Sequence, residues 1–303
     1  MLKKIKVNQK AEKERLDKFL AQEFPNCSRS YIQKLIKQGR VKVNKKLISV
    51  HYFLKKDDII KIDYKRPPEP ELKLSEKKLP LFKEEKNYLI INKPVGLLVH
   101  PTLKSEKDTL AGRLINYNST IKKVGEDNLR PGIVHRLDKN VSGIMIVAKN
   151  QAMFENLKNQ FKDHQIKKEY LALVHGLLEK YEGEINFPIA RSKKGIIVSK
   201  PKNKKGRKAI TRYKLIEKIK KYSLIKINTL TGRTNQIRVH FKALGHPVIG
   251  DKKYNIKKFD NQSWPRLMLH AQKIGFYNLN NKWQEYEVKP PQNFQNPLNN
   301  LKS

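Results

Sequence analysis

Cysteine is nearly absent. Cys27 is the one thiol in 303 residues, so no internal disulfide can form and no multi-cysteine zinc site can be built. None of the eight histidines stands at a metal-ligand spacing with Cys27 or a carboxylate, so no metal is expected. No apolar run approaches the ~20 residues that a membrane-spanning helix requires. The opening Met1-Leu2-Lys3-Lys4-Ile5-Lys6 lacks the apolar stretch of a signal peptide. Nor is there a long basic amphipathic helix to lie on a membrane. The expectation is a soluble cytoplasmic protein with no membrane partner. Acidic residues are also scarce: 28 Asp and Glu stand against 66 Lys and Arg, leaving a net charge of +38 and a pI near 10.1. Some of that excess is a compositional bias toward lysine on solvated faces. The rest points to a polyanionic partner.

What is present suffices for two domains. The chain is 38% hydrophobic, and a length prior of ~150 residues per domain gives two. The first is expected over residues 11–64. Leu16, Phe19 and Leu20 recur at helical spacing, so a helix is predicted from Glu14 to Phe24, ending before Pro25. Ser30 with Gln33 fits a capping box. A second helix then buries Ile32, Leu35 and Ile36 and stops at Gly39. Val41 and Val43 alternate with Arg40 and Lys42 as a strand, and a further strand covers Ile59 to Tyr64. Arg29, Lys34, Lys37, Arg40 and Lys42 then place cations on one helix and the strand after it. The apolar stripes fix their orientation, which suits a phosphate-binding face. Arg66-Pro67-Pro68-Glu69-Pro70 favours extended backbone, so residues 65–83 read as a linker. Residues 84–290 read as one mixed α/β domain rich in strands, and 291–303 as a polar, frayed tail.

In the second domain one short segment is dense in polar groups: His135-Arg136-Leu137-Asp138-Lys139-Asn140-Val141-Ser142-Gly143. It lies between the apolar runs Ile133-Val134-His135 and Ile144-Met145-Ile146-Val147-Ala148, a strand–loop–strand element that displays side chains at a sheet edge. Spacing alone allows an ordinary turn in which Asp138 bonds its own backbone. Tyr88 to Asn92 is a further strand, leading into a turn at Lys93-Pro94-Val95-Gly96. Met153, Phe154, Leu157 and Phe161 mark a helix capped by Asn150. Tyr170, Ala172 and Val174 alternate with Leu171 and Leu173 along another strand.

Arg15 to Leu20, Ser28-Arg29-Ser30 and Leu35 to Asn44 together resemble the S4 RNA-binding domain. His135-Arg136-Leu137-Asp138 with Ser142-Gly143 resembles the central motif of the RluA family of pseudouridine synthases. Other segments match that family in order: Asn92 to Gly96 with His100-Pro101, Lys168 to Ala172, Thr231 to His240 with Gly245-His246-Pro247, and Leu269-His270-Ala271. The resemblance implies an α+β fold, with a small α/β S4 domain ahead of a mixed, mainly antiparallel sheet with flanking helices. It also implies an enzyme that isomerises uridine to pseudouridine in RNA, most often large-subunit ribosomal RNA, acting as a monomer.

That reaction breaks the bond from ribose C1′ to N1, turns the base and rejoins it through C5. Atoms balance without a second substrate, and no cofactor is expected. A carboxylate beside the sugar either attacks C1′ or removes the C2′ proton. The resemblance assigns this role to Asp138, with Arg238 expected to grip it by two parallel bonds. Tyr170 corresponds to the tyrosine that stacks on uracil and reaches C5, and Leu269 to the apolar residue on the base's other side. Arg136 is expected to fill the place the flipped base vacates. His135 is expected to support the loop, and Arg233 to meet phosphate or to serve a structural role. Asn235 and Val141 depart from the family, which usually has His and Thr there. Two other readings are a noncatalytic RNA-binding assembly factor and an RNA methyltransferase. The first is disfavoured by the presence of Asp138, Tyr170 and Arg238. The second would want a strand-to-helix glycine loop that the sequence lacks.

Overall fold

A computed structural model of the protein describes all residues except 1, 26, 28, 65–70, 103–104, 193–194, 200–205, 257–258, 260–263 and 303. Ser28 and the proline-rich stretch 66–70 lie outside the described residues. The chain divides into two compact units, Met1–Pro70 and Glu71–Ser303.

In the first unit β1 (Leu2–Lys6) precedes α1 (Leu16–Glu23) and α2 (Arg29–Lys37), followed by β2 (Val41–Val43), β3 (Lys46–Leu47) and β4 (Ile59–Asp63). The strands form an antiparallel sheet in the order β1-β4-β2-β3. The unit therefore starts with β1, nine residues before the expected boundary at Ala11. Leu16, Leu20, Ile32, Leu35, Val41, Ile60 and Ile62 make its core. Asp17, fully buried, is the polar centre where the helices meet. Arg15 and Arg29 each donate two hydrogen bonds to it, and Gln33 donates one at 2.6 Å. Gln33, expected to reach back to its helix start, serves Asp17. Burial raises the Asp17 pKa, but the bonds from Arg29, Gln33 and Arg15 outweigh it and hold the carboxyl at about 2. Arg29 is thus engaged, and Arg40 donates to Asp63 at 2.9 Å. Lys34 and Lys37 are exposed, and among the described residues neither has an ion pair.

The second unit is built on one large sheet. Its elements are β5 (Leu81–Glu84), β6 (Tyr88–Lys93), α3 (Leu110–Tyr117), β7 (Ser142–Ala148), α4 (Gln151–Lys162), β8 (Lys167–His175) and β9 (Glu182–Ile185). Then follow β10 (Ile189–Arg191), β11 (Ile197–Ser199), β12 (Thr211–Ile219), β13 (Tyr222–Thr229), α5 (Gln236–Ala243), β14 (Leu269–Tyr277), β15 (Trp283–Glu287) and α6 (Gln292–Lys302). Strand order is β5-β6-β7-β14-β8-β13-β12-β9, with β15 against β14 and β10–β11 as a separate hairpin. Among the described residues, the short β7–β14 pairing is the one parallel pairing between strands. There Gly143 (φ +123°) is required, because a Cβ would stand 2.1 Å from the Ala271 carbonyl oxygen. Every residue of β7 is buried, which explains its unbroken apolar run. Asn150 caps α4 by accepting the Met153 N–H at 2.9 Å, as its sequence suggests.

Three expectations change. Residues 71–83 are not linker: Leu79 is buried in the second unit, and Ser75 donates to Asp108 at 3.0 Å. Residues 291–303 are not frayed, because α6 buries Phe294 and packs Leu298 and Leu301 beside it. Spacings of four and three place these three on one helical stripe. Ile133 to His135 form no strand beyond a single bridge from Ile133 to Val147. A side chain, His135, takes the Ile146 N–H that a continuing strand would use. Among the described residues no helix is long and apolar enough to cross a membrane.

The Asp17 cluster gives a test in the full chain. Asp17→Asn should lower hydrogen-exchange protection of amides in α1 and α2 by about 3 kcal/mol, the scale for breaking a buried charge pair. Because the folded pKa is depressed, the wild-type contribution is full above pH ~4 and fades as pH falls through about 2. Unchanged protection in the variant at neutral pH would show that the cluster is incidental.

Candidate active site

The Asp138 loop hangs between the Ile133 bridge and β7, and buried polar groups hold it. Lys93, at the end of β6, is fully buried and donates to the carbonyls of Pro94, Leu97 and Lys139 at 2.9, 3.0 and 3.2 Å. Burial pulls its ammonium down to about 7, against the charge of Asp138, which favours the protonated form. Gly96, at φ +88°, donates its N–H to the Lys139 carbonyl at 2.8 Å. His135 accepts the Ile146 N–H through Nε2 at 3.0 Å and stacks on Phe161. Burial drops its pKa to about 3, so at neutral pH it is an uncharged brace.

α5 supplies the cation. Arg238 Nε and Nη2 donate to the two oxygens of Asp251 at 2.6 and 2.8 Å. Its Nη1 donates to Asp138 Oδ2 at 2.9 Å and to Asn235 Oδ1 at 3.0 Å. The expected two-bond grip therefore falls on Asp251, and Asp138 receives one bond. Among the described residues no donor reaches Asp138 Oδ1. Asp251 is buried; burial raises its pKa, but Arg238 and the Tyr254 and Lys253 N–H groups lower it further. For Arg238 burial opposes the charge, and Asp251 more than restores it, raising the guanidinium above its usual range. The Tyr254 ring lies 4.8 Å from that guanidinium, and its hydroxyl accepts from Asn235 Nδ2 at 2.8 Å. Asn235 stands at φ +55° just before α5, a left-handed conformation that Asn tolerates well. Its donor and its acceptor are both used.

A cavity of about 100 Å³ opens beside Asp138, lined by Arg136, Val141, Tyr170, Thr229, Arg233, Asn235, Arg238 and Leu269 among others. Tyr170 comes from β8, and Leu269 from the first position of the neighbouring β14. Burial pushes the Tyr170 hydroxyl up to about 12 against a hydrogen bond with Thr229, and the Asp138 charge adds to the rise. Tyr170 is therefore a neutral phenol at pH 7. Arg136 is exposed, and its Nη1 donates to His100 Nε2 at 2.7 Å. The other nitrogen of His100 lies 3.0 Å from the Pro101 carbonyl, which makes Nε2 the acceptor. Arg233 Nε donates to the Lys208 carbonyl at 3.1 Å. Its loop is shaped by Gln236, whose Oε1 accepts from the Arg233 N–H and the Thr231 hydroxyl.

Asp138, Tyr170, Arg238, Arg136, Arg233 and Leu269 are thus brought to one cavity, and His135 lies behind the loop that carries Asp138. Arg29, Lys34, Lys37 and Arg40 belong to the first unit. Sequence reasoning missed Lys93 and Gln236 although both sit inside motifs it quoted. No motif in the sequence marked Asp251 as the anchor of Arg238.

Comparisons with known proteins identify the family. The family model described as RNA pseudouridylate synthase matches residues 87–243, and the S4 domain model matches 14–60. An RNA pseudouridine synthase of Aquifex aeolicus is 37% identical over 299 residues, covering 93% of this chain and 92% of that protein. Ribosomal large subunit pseudouridine synthase C of Buchnera aphidicola is 34% identical, covering 92% and 90%. Human RNA pseudouridylate synthase domain containing 1 superposes with a TM-score of 0.59 at 26% identity, covering 72% of this chain and 85% of that one. This chain belongs to the RNA pseudouridylate synthase family and carries an S4 domain ahead of its catalytic unit.

Proposed function

We propose that the chain isomerises uridine in large-subunit ribosomal RNA, with Asp138 as the carboxylate that opens the glycosidic bond. The observation that carries the role of Asp138 is the asymmetric use of Arg238. Two of its nitrogens are fixed on Asp251, and one bond orients Asp138 by Oδ2. Oδ1 is left for the substrate. A guanidinium already anchored elsewhere orients Asp138 without covering it. A uracil entering beside it meets Tyr170 on β8 and Leu269 on β14. As a neutral phenol Tyr170 suits stacking on the uracil; the C5 proton must leave to an acceptor, which this phenol becomes only by giving up its own proton. Arg136, anchored on His100 at the cavity mouth, suits the gap left by a flipped base.

The choice of ribosomal RNA rests on relatives whose names specify the large ribosomal subunit, together with the S4 unit and the net charge of +38. A monomer working in the cytoplasm completes the reading. Lys34 and Lys37 on α2 are its phosphate contacts in the S4 unit.

Single-turnover pseudouridine yield on large-subunit and transfer RNA transcripts tests the substrate and the carboxylate together. The ribosomal transcript should be the better substrate, and Asp138→Asn should cut its yield by more than about 10³ while RNA affinity holds or rises. Substantial turnover by a folded Asp138→Asn protein contradicts the assignment.

Asp251→Asn should behave differently. It breaks a buried pair, so stability should fall by about 3 kcal/mol in thermal unfolding, whereas Asp138→Asn should change it little. Equal stability losses would remove Asp251 from its anchoring role. In the S4 unit, replacing Lys34 and Lys37 together by Ala should weaken RNA binding and lower the salt slope of log K by between about 1 and 2. An unchanged slope would place the phosphates elsewhere.

A further inference from the structure

Beside the catalytic cavity lies a second, larger one of about 540 Å³. The two share Arg136, Tyr170, Thr229, Gly232 and Arg233 as lining. Its cations are Arg130, Arg136, Lys162, Lys168 and Arg233, and among the described residues no carboxylate lines it. Most of these cations already have a partner. Arg130 pairs with Asp127 at 3.3 Å, Arg136 donates to His100, and Arg233 donates to the Lys208 carbonyl. Lys162 stands exposed at the end of α4.

Lys168 differs. It lies two residues before Tyr170 on β8, so both side chains leave the same face of the sheet. Glu169, between them, points to the other face and meets Lys226 at 4.0 Å. The Lys168 ammonium sits 5.6 Å from the Phe161 ring centroid, and among the described residues it has no ion pair. Burial pulls its pKa down to about 8. A half-buried ammonium held against an aromatic ring, in a cavity without carboxylates, is costly unless an anion joins it.

The geometry points to a subsite for the RNA backbone, in which Lys168 binds a phosphodiester next to the flipped uridine. This rests on the reading that uridine enters the cavity beside Asp138. Given that, covalent continuity supplies the anion. A nucleotide in the first cavity is joined to neighbours on both sides, and the second cavity opens across shared walls. Lys168 is then a binding residue whose charge acts on phosphate, while Tyr170 on the same face serves the base.

Lys168→Met keeps the stem against Phe161 and removes the charge; Lys168→Arg keeps the charge. Both should show unchanged thermal unfolding to within a few degrees. On a substrate transcript, Lys168→Met should weaken binding about tenfold and lower the salt slope by about 0.7, the value for one phosphate on a single strand. The rate at saturating RNA should stay within about twofold of wild type, and Lys168→Arg should restore the slope. An unchanged slope in Lys168→Met overturns the proposal. So does a Lys168→Arg protein as weak as Lys168→Met, since the lost term would then be packing. The underlying reading has its own readout, Asp138-dependent pseudouridine yield in the otherwise wild-type chain. A failed Lys168 result with that yield intact overturns the subsite alone.

Discussion

One guanidinium shared between two carboxylates organises the site. A buried carboxylate is stable as an anion only beside a cation, and a cation wholly spent on a catalytic carboxylate would obstruct it. Here Arg238 is neutralised and oriented by buried Asp251, which is itself fixed by the backbone N–H groups of Lys253 and Tyr254. Asp138 receives one N–H from a group whose position does not depend on it. Asn235 and Tyr254 complete the cradle, one bonding the guanidinium edge and the other covering its face. The charge of the site is held by α5 and the segment at Asp251, and among the described residues Asp138 Oδ1 meets no donor.

That loop has no strand to define it, so its placement comes from side chains that replace ladder bonds. Lys93 gathers three carbonyls from two chain segments, and His135 occupies a backbone N–H of β7. Burial leaves His135 a neutral imidazole and pulls Lys93 down to about 7, while the three bonds Lys93 donates use every hydrogen of its ammonium. The sheet supplies the walls. Adjacent strands β8 and β14 run antiparallel, and the close β7–β14 approach permitted by Gly143 brings the loop beside Leu269.

The sequence made much of this legible, but unevenly. Helices α1, α2 and α4 and strands β2, β4, β6, β7 and β8 followed from apolar periodicity, alternation and caps, as with Asn150 before α4. The family and its reaction were visible in motifs that keep their order along the chain. Asp138, Tyr170 and Leu269 lie far apart in sequence but meet at one cavity. The pairing of Arg238 with Asp251 was not legible, because motif resemblance records which residues occur and not which oxygen each nitrogen reaches. The C-terminal helix was missed for a different reason. Asn and Gln dominate residues 291–303, and the stripe of Phe294, Leu298 and Leu301 is short enough to hide among them. The Ile133 strand was over-read from β-branched residues, where the structure spends the neighbouring N–H on His135.

We propose that a uridine enters beside Asp138 Oδ1, between Tyr170 and Leu269. The most direct measurement is a crystal structure of the Asp138→Asn protein bound to a substrate RNA. The target nucleotide should be out of its stack, with its uracil against the Tyr170 ring and ribose C1′ and C2′ next to the side chain at position 138. Arg238 should still be gripped by Asp251. A target uridine bound elsewhere, or with its ribose nearer Asp251 than position 138, would contradict the account.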